Sequence, residues 1–223
     1  MKTKKLLAVV AASVLCLSMA SCGDSSSSGD SKSGDSKKSD KVIKVGIINN
    51  DPSESGYRTA NDKDLKATFT KENGYDAQFG YGKTNDEQIT TAKKYIQDEV
   101  DYLLLSAADT SGWDGVLEDA KKAGVKVILF DRTIEASEDL YEASIVSDMD
   151  KEGETAVNWL KDQKLSEYNI IHIQGVMGSA AQKGRSGALL KEAEASGWNI
   201  IVSQTAEWNA EKITQEDVDK YGI

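Results

Sequence analysis

Lys126-Val127-Ile128-Leu129-Phe130-Asp131-Arg132-Thr133 decides the fold. Four consecutive apolar residues, two of them β-branched, follow the Ala123-Gly124 helix stop and end in an acid and a base. A parallel strand buried on both faces reads this way where it emerges at its carboxyl end. Open α/β sheets bind ligands at that end. Asp131 offers an acceptor there and Arg132 a planar five-donor fork, enough to hold neighbouring hydroxyls of a small polar ligand. Taken alone, the pair reads more simply as a solvated strand-terminal ion pair.

On either side, apolar runs alternate with helical periodicity. Strands are expected at 42–48, 75–80, 101–106, 142–146, 169–173 and 199–203. Thr84-Asn85-Asp86-Glu87 is a capping box, and Ile89, Ala92, Ile96 and Val100 then recur at helical spacing. Ser111 is expected to cap a helix whose inner face carries Trp113, Val116, Leu117 and Ala120. Further helices are expected from the Asp51–Arg58 loop toward Asn73, over 150–161 and over 180–195. Asn73-Gly74-Tyr75, Ala123-Gly124-Val125 and Ser196-Gly197-Trp198 repeat one design, a glycine that stops a helix before a strand starts. Sustained alternation predicts α/β architecture with a doubly wound parallel sheet, and the stretch from residue 42 to 223 is long enough for one large or two small lobes. The segment 213–223 is a weakly periodic tail with no strand to pair with its neighbours.

The amino terminus reads as export machinery. Lys2, Lys4 and Lys5 precede the apolar run Leu6–Leu17 and the exit Met19-Ala20-Ser21-Cys22, a run too short to span a bilayer. Residues 1–21 are a signal peptide on this reading. Cys22 follows small residues as the lipid acceptor of a bacterial lipoprotein does, and the alternative is an ordinary secreted chain. Residues 22–41, nearly all Ser, Gly, Asp and Lys, form a flexible tether to an anchored, extracytoplasmic domain. The folded part is expected from residue 42 onward.

Composition excludes several chemistries. The chain has two cysteines, and Cys16 lies in the segment to be removed, so neither an internal disulfide nor Cys–zinc chemistry is available. The single histidine, His172, sits in an alternating apolar run and reads as a core residue without a catalytic partner. A formal net charge of −10 argues against nucleic acid or anionic lipid as a partner. Gly175-x-x-Gly178 lacks the full G-x-G-x-x-G spacing of a phosphate loop. No carboxylates form a recognisable acid–base pair, so neither an enzyme nor a cofactor or metal is indicated.

Polar and aromatic residues fall instead near strand ends: Tyr57, Arg58, Ser106, Asp131, Arg132, Ser147 with Asp148, Arg185 and Trp208. Sugars are bound by this mixture, because charged groups hydrogen-bond paired hydroxyls while aromatic faces cover C–H faces of the ring. Each has a plainer reading: Tyr57 and Trp208 as core, Arg58 and Arg185 as solvated helix faces, Ser147 as a helix cap.

Val45-Gly46-Ile47, Ser53-Glu54-Ser55-Gly56-Tyr57-Arg58-Thr59, Gly112-Trp113, Leu129-Phe130-Asp131-Arg132, Ser147-Asp148, Gln174-Gly175-x-x-Gly178-Ser179 and Ala206-Glu207-Trp208 together resemble the periplasmic sugar-binding proteins of the ribose/galactose type. The Ser-Glu-Ser-Gly-aromatic-Arg loop is most similar to the branch that binds galactofuranose for an ABC importer. The resemblance implies doubly wound parallel sheets in two α/β lobes, 42–147 and an incomplete 148–212, closing about a hinge on one monosaccharide, furanose or pyranose, with an ABC permease as partner and a monomeric binding protein. It implies that Tyr57 and Trp208 sandwich the ring while Asp131, Arg132 and Arg185 bond its hydroxyls, with Arg58 in the shared loop and Ser106 and Ser147 near contact positions. Family members continue with further strands after Trp208, and their absence here points to a truncation or internal deletion. The other functional readings are a sugar sensor for a membrane signalling partner, a secreted carbohydrate-active enzyme and a remnant without binding activity.

Overall fold

A computed structural model describes residues 42–209 and 214–220. The expected signal peptide, the tether, the lipid acceptor Cys22 and residues 210–213 lie outside the described residues.

The first five strands form one parallel sheet: β1 (Ile43–Asn49), β2 (Tyr75–Tyr81), β3 (Tyr102–Leu105), β4 (Lys126–Asp131) and β5 (Ala143–Val146), in the order β2-β1-β3-β4-β5. Helices α1 (Gly56–Thr68), α2 (Asn85–Gln97) and α3 (Asp114–Lys122) connect them. The chain steps from β1 outward to β2 and then back across β1 to β3. With right-handed crossovers, this reversal puts α1 on one face and α2 and α3 on the other. A doubly wound sheet binds its ligand where the order reverses, outside the carboxyl ends of the strands. The β1 and β3 ends therefore mark the place to look.

The core lies between the sheet and the α2–α3 layer. Ile48, Leu103, Leu105, Val127 and Leu129, all on one face by strand register, pack with Ala92, Tyr95, Val116, Leu117 and Ala120. Gly46 belongs to the same face, and a Cβ there would lie 2.5 Å from Cδ2 of Tyr95; only glycine lets that ring rest on β1. On the opposite face Val45 and Ile47 are buried, whereas Leu104, Ile128 and Phe130 are half-buried and Ile145 is exposed.

Helix starts follow local chemistry. Thr84 and Glu87 form the expected reciprocal capping box on α2. α3 departs from expectation, because it begins at Asp114 with no side-chain cap. Ser111 gives both its N–H (3.0 Å) and its hydroxyl (2.9 Å) to Asp109 Oδ1, closing a local turn instead. α1 also ends earlier than expected, at Thr68, and the chain turns through 71–74 to the left-handed Gly74.

A second parallel sheet, of two strands, joins β6 (Asn169–Gln174) and β7 (Asn199–Thr205). α4 (Met149–Asp162) and α5 (Ala180–Ser196) belong to this part and meet closely through glycines. A Cβ on Gly153 would lie 2.8 Å from the Arg185 carbonyl, and one on Gly184 2.8 Å from Met149. Ile173 and Ile201 are exposed on these strands. His172 is buried, and its two ring nitrogens each lie 3.0 Å from a hydroxyl, Ser186 Oγ and Ser203 Oγ. A short helix, α6 (Gln215–Lys220), stands in the segment expected to be weakly periodic. No helix among the described residues is long and apolar enough to cross a membrane.

Candidate functional site

The loop after β1 is built to deliver two charged side chains. Asp51 Oδ1 accepts from the N–H and hydroxyl of Ser53, the Thr59 hydroxyl donates to the Pro52 carbonyl (2.7 Å), and Ser55 caps α1 by accepting from the Arg58 N–H (3.2 Å). Glu54 is thereby set one turn before Arg58, and the Arg58 Nε donates to Glu54 Oε2 at 3.1 Å. The remaining Arg58 nitrogens reach Asn49 Oδ1 (3.0 Å), Ser106 Oγ (3.3 Å) and Asp131 Oδ2 (2.6 Å).

Asp131 closes β4 in an unusual conformation. Its φ is 64°, and the Arg132 N–H donates back to the Phe130 carbonyl at 2.7 Å, a three-residue turn. This left-handed backbone turns the carboxylate toward Arg58 and Ser106, whose hydroxyl donates to Oδ2 at 2.9 Å. Arg132 follows with NH2 at 3.2 Å from Glu54 Oε2 and Nε at 3.7 Å from Asp131 Oδ2. Two carboxylates and two guanidiniums thus form a neutral ring in which each acid touches both bases. Arg58 is 2% exposed and Arg132 4%, against 15% for Glu54 and 14% for Asp131, so the cations are sunk and the anions face outward. Burial is the main influence on the Arg132 pKa and lowers it, while Glu54 raises it.

Beneath the ring lies a buried polar layer that the sequence reading did not single out. Asn50 Nδ2 and Gln88 Nε2 donate to the Ser106 carbonyl at 3.1 and 3.2 Å, and Gln88 Oε1 accepts from the Ala108 N–H at 2.8 Å. Two asparagines directly after an apolar strand were the available signal.

Glu54, Ser55, Tyr57, Arg58, Asp131 and Arg132 form one wall of a cavity of about 270 Å3; Met149, Ala181, Arg185 and Trp208 form the other. Six of the nine residues singled out from sequence are therefore gathered on one cleft. Tyr57 stands exposed at the rim, 5.2 Å from the Arg58 guanidinium carbon to the ring centroid. Burial first, then the Asp131 charge, pushes the Tyr57 pKa up. Opposite, the Arg185 guanidinium carbon lies 5.8 Å from the Trp208 ring centroid, and its Nε donates to Glu152 at 2.7 Å. The Trp208 ring covers Gly175, leaving no room for a Cβ there. This close approach, rather than a phosphate turn, is what the glycine serves.

Three singled-out residues lie elsewhere, and one of them, Asp148, caps α4 by accepting from the Lys151 N–H at 2.9 Å. Ser106 is fully buried under the ring, holding Asp131 and the polar layer rather than reaching the cleft. Ser147 lines a larger, largely apolar groove of about 930 Å3 along α4, with Trp159 and Leu160, and does not line the cleft. Glu54, Ser55, Met149 and Ala181 are the wall residues that the sequence did not mark as ligand contacts. Glu54 had a signal in its spacing of four before Arg58. Met149 and Ala181 had none, since nothing local distinguishes them from helix-start residues.

The model of the periplasmic binding protein domain family matches residues 45–219. The chain belongs to this family. Among curated relatives, it is 32% identical over 228 residues to the fructose import binding protein FruE of Bifidobacterium longum, covering 98% of this chain and 66% of that protein. To the galactofuranose-binding protein YtfQ of Escherichia coli it is 28% identical over 164 residues, covering 72% and 51%. Among solved structures, the binding component of the arabinose ABC transporter from Shewanella sp. ANA-3, bound to α- and β-L-arabinofuranose, superposes with a TM-score of 0.69 at 30% identity, over 80% of this chain and 59% of that one. A galactofuranose binding protein superposes with a TM-score of 0.67 at 26% identity, over 74% and 57%. The chain spans about half to two thirds of the length of the curated relatives it matches.

Proposed function

We propose that this chain captures a monosaccharide in the cleft between two lobes, 42–147 and 148–212, without catalysis, as the extracytoplasmic binding component of an ABC sugar importer. The observation that carries the reading is the cleft itself. Two aromatic rings, outward-facing carboxylates and a row of guanidiniums meet around about 270 Å3. Ligand pockets run from roughly 300 to 1,000 Å3, and a cavity just below that range suits a single sugar ring rather than an oligosaccharide. The furanose ligands named for the two solved relatives support a five-membered ring as the preferred form.

On this reading Tyr57 and Trp208 cover the two faces of the ring, and Asp131, Arg132 and Arg185 hydrogen-bond its hydroxyls. Arg58 lines the wall and, with Ser106 below, fixes the Asp131 carboxylate. Lobe closure follows from sugar binding the closed arrangement better than the open one. Cys22 is the proposed lipid anchor.

Isothermal titration of the folded chain with fructose, arabinose, ribose and galactose tests this. Heat with at least one sugar is expected, abolished in both Trp208→Ala and Asp131→Asn. A chain with native circular dichroism that gives no heat with any of the four, or whose binding survives both substitutions, overturns it.

A further inference from the structure

Gly175-x-x-Gly178 is not used up by the cleft, and the second glycine points to a different contact. Gly178 has φ +84°, and the space a Cβ would take is filled by the Asp109 carboxylate, from the β3–α3 loop of the first lobe. Ser111 holds Asp109 in place through the turn described above. Next to it, the Thr110 N–H donates to the Gly178 carbonyl at 3.3 Å. Lys183, on the first turn of α5, donates to Glu135 Oε1 at 2.7 Å and also to Thr110 Oγ1, which itself donates to Glu135 at 2.9 Å. The Glu135 N–H donates to the Thr110 carbonyl at 2.7 Å, so the two first-lobe segments are tied to each other before they meet Lys183.

We infer that Thr110 and Glu135 of one lobe, with Gly178 and Lys183 of the other, form a latch that holds the cleft shut without a sugar in it. None of these four residues lines the cleft, although Thr110, Glu135 and Lys183 line a neighbouring cavity of about 520 Å3 with Ser147 and Gly184. The inference rests on the two-lobe reading but not on the identity of any sugar. A latch of this kind raises the closed fraction of the free protein, and apparent affinity rises with the fraction competent to bind. The Lys183 side chain is 44% exposed and Glu135 59%, so the ion pair is open to salt. It acts as a weak, reversible catch.

The test is the interlobe distance with no sugar present. Spin labels are placed at Lys71→Cys and Glu194→Cys, both exposed, in the full chain carrying Cys16→Ser and Cys22→Ser. The labelled parent is expected to show one short distance at low salt. Lys183→Met should add a longer component, raising the open-to-closed ratio about two- to fivefold, the range an exposed ion pair supplies. Gly178→Ala should do the same more strongly, and the charge exchange Lys183→Glu with Glu135→Lys should restore the parent distribution. Lys183 is a surface residue, so Lys183→Met stays informative if Gly178→Ala fails to fold. Identical distributions in the parent and Lys183→Met, or a charge exchange that stays open, overturn the latch. Loss of sugar binding with the distances unchanged would sink only the sugar reading.

Discussion

Arg58→Met is the sharpest perturbation of the charge ring. Methionine keeps much of the length and apolar stem of arginine but removes donors that serve four acceptors: Glu54, Asn49, Ser106 and Asp131. Glu54 keeps Arg132 at 3.2 Å, and Asn49 Oδ1 keeps the Asn50 N–H. Asp131 is left with the Ser106 hydroxyl and an Arg132 nitrogen at 3.7 Å, and the ring changes from neutral to a net single negative charge. Breaking a buried ion pair from one side costs about 3–5 kcal/mol. The 14% exposure of Asp131 admits water to the stranded carboxylate and places the loss at the lower end, about 3 kcal/mol. With a urea slope of about 2 kcal/mol per M, the unfolding midpoint should fall by roughly 1.5 M with the slope unchanged. Arg58→Met combined with Asp131→Asn returns the ring to neutrality, so its loss should be less than the sum of the single losses by about 1–3 kcal/mol. A single variant within about 0.5 kcal/mol of the parent, or strictly additive losses, would show that the ring is not a coupled unit.

Two further outcomes follow from local geometry. Gly46→Ala drives a methyl into the Tyr95 ring and should destabilise the five-stranded part by about 1–3 kcal/mol, read as a lower urea midpoint. Burial lowers the His172 pKa below 6.5, so the unfolded chain binds the proton more readily than the folded one. The stability this gives is complete above about pH 6.5 and is lost as pH falls from there toward the folded pKa. Urea midpoints between pH 7 and 5 should therefore decline in the parent and less steeply in His172→Gln; equal slopes would remove His172 as the cause.

The parallel strands and the position of the cleft were accessible from sequence because a doubly wound sheet leaves few choices. A short apolar run such as Val127–Phe130 after a glycine helix stop reads as a strand and ends where its polar neighbours meet, although only Val127 and Leu129 of this run are fully buried and Ile128 and Phe130 are half-buried. The Thr84–Glu87 box fixed one helix start for the same local reason. Ser111 misled because a serine ahead of an apolar run looks alike whether it caps the helix or serves a turn made by an aspartate two residues earlier. Ser106 and Ser147 both end strands, yet one is drawn beneath the charge ring and the other opens onto α4. Which of these happens depends on side chains far away in the chain, Arg58 and Asp131 for Ser106, and no local pattern records it. Arg58 shows the same limit. Its helix gives no sign that it is buried, because its partners come from Glu54, Asn49, Ser106 and Asp131 on three separate segments.

The left-handed backbone at Asp131 sets two demands at odds. Among side chains, aspartate and asparagine tolerate that region better than most, and glycine is the residue most at ease there. Glycine or asparagine at 131 would ease the main chain but erase the anion that balances two sunken guanidiniums, so a population selected only for resistance to heat would take them only together with a second change at Arg58 or Arg132. One selected for retaining its ligand should hold the acid. Comparing which residues survive at this one position under the two regimes would separate what the polypeptide needs to stay folded from what it needs to do its work.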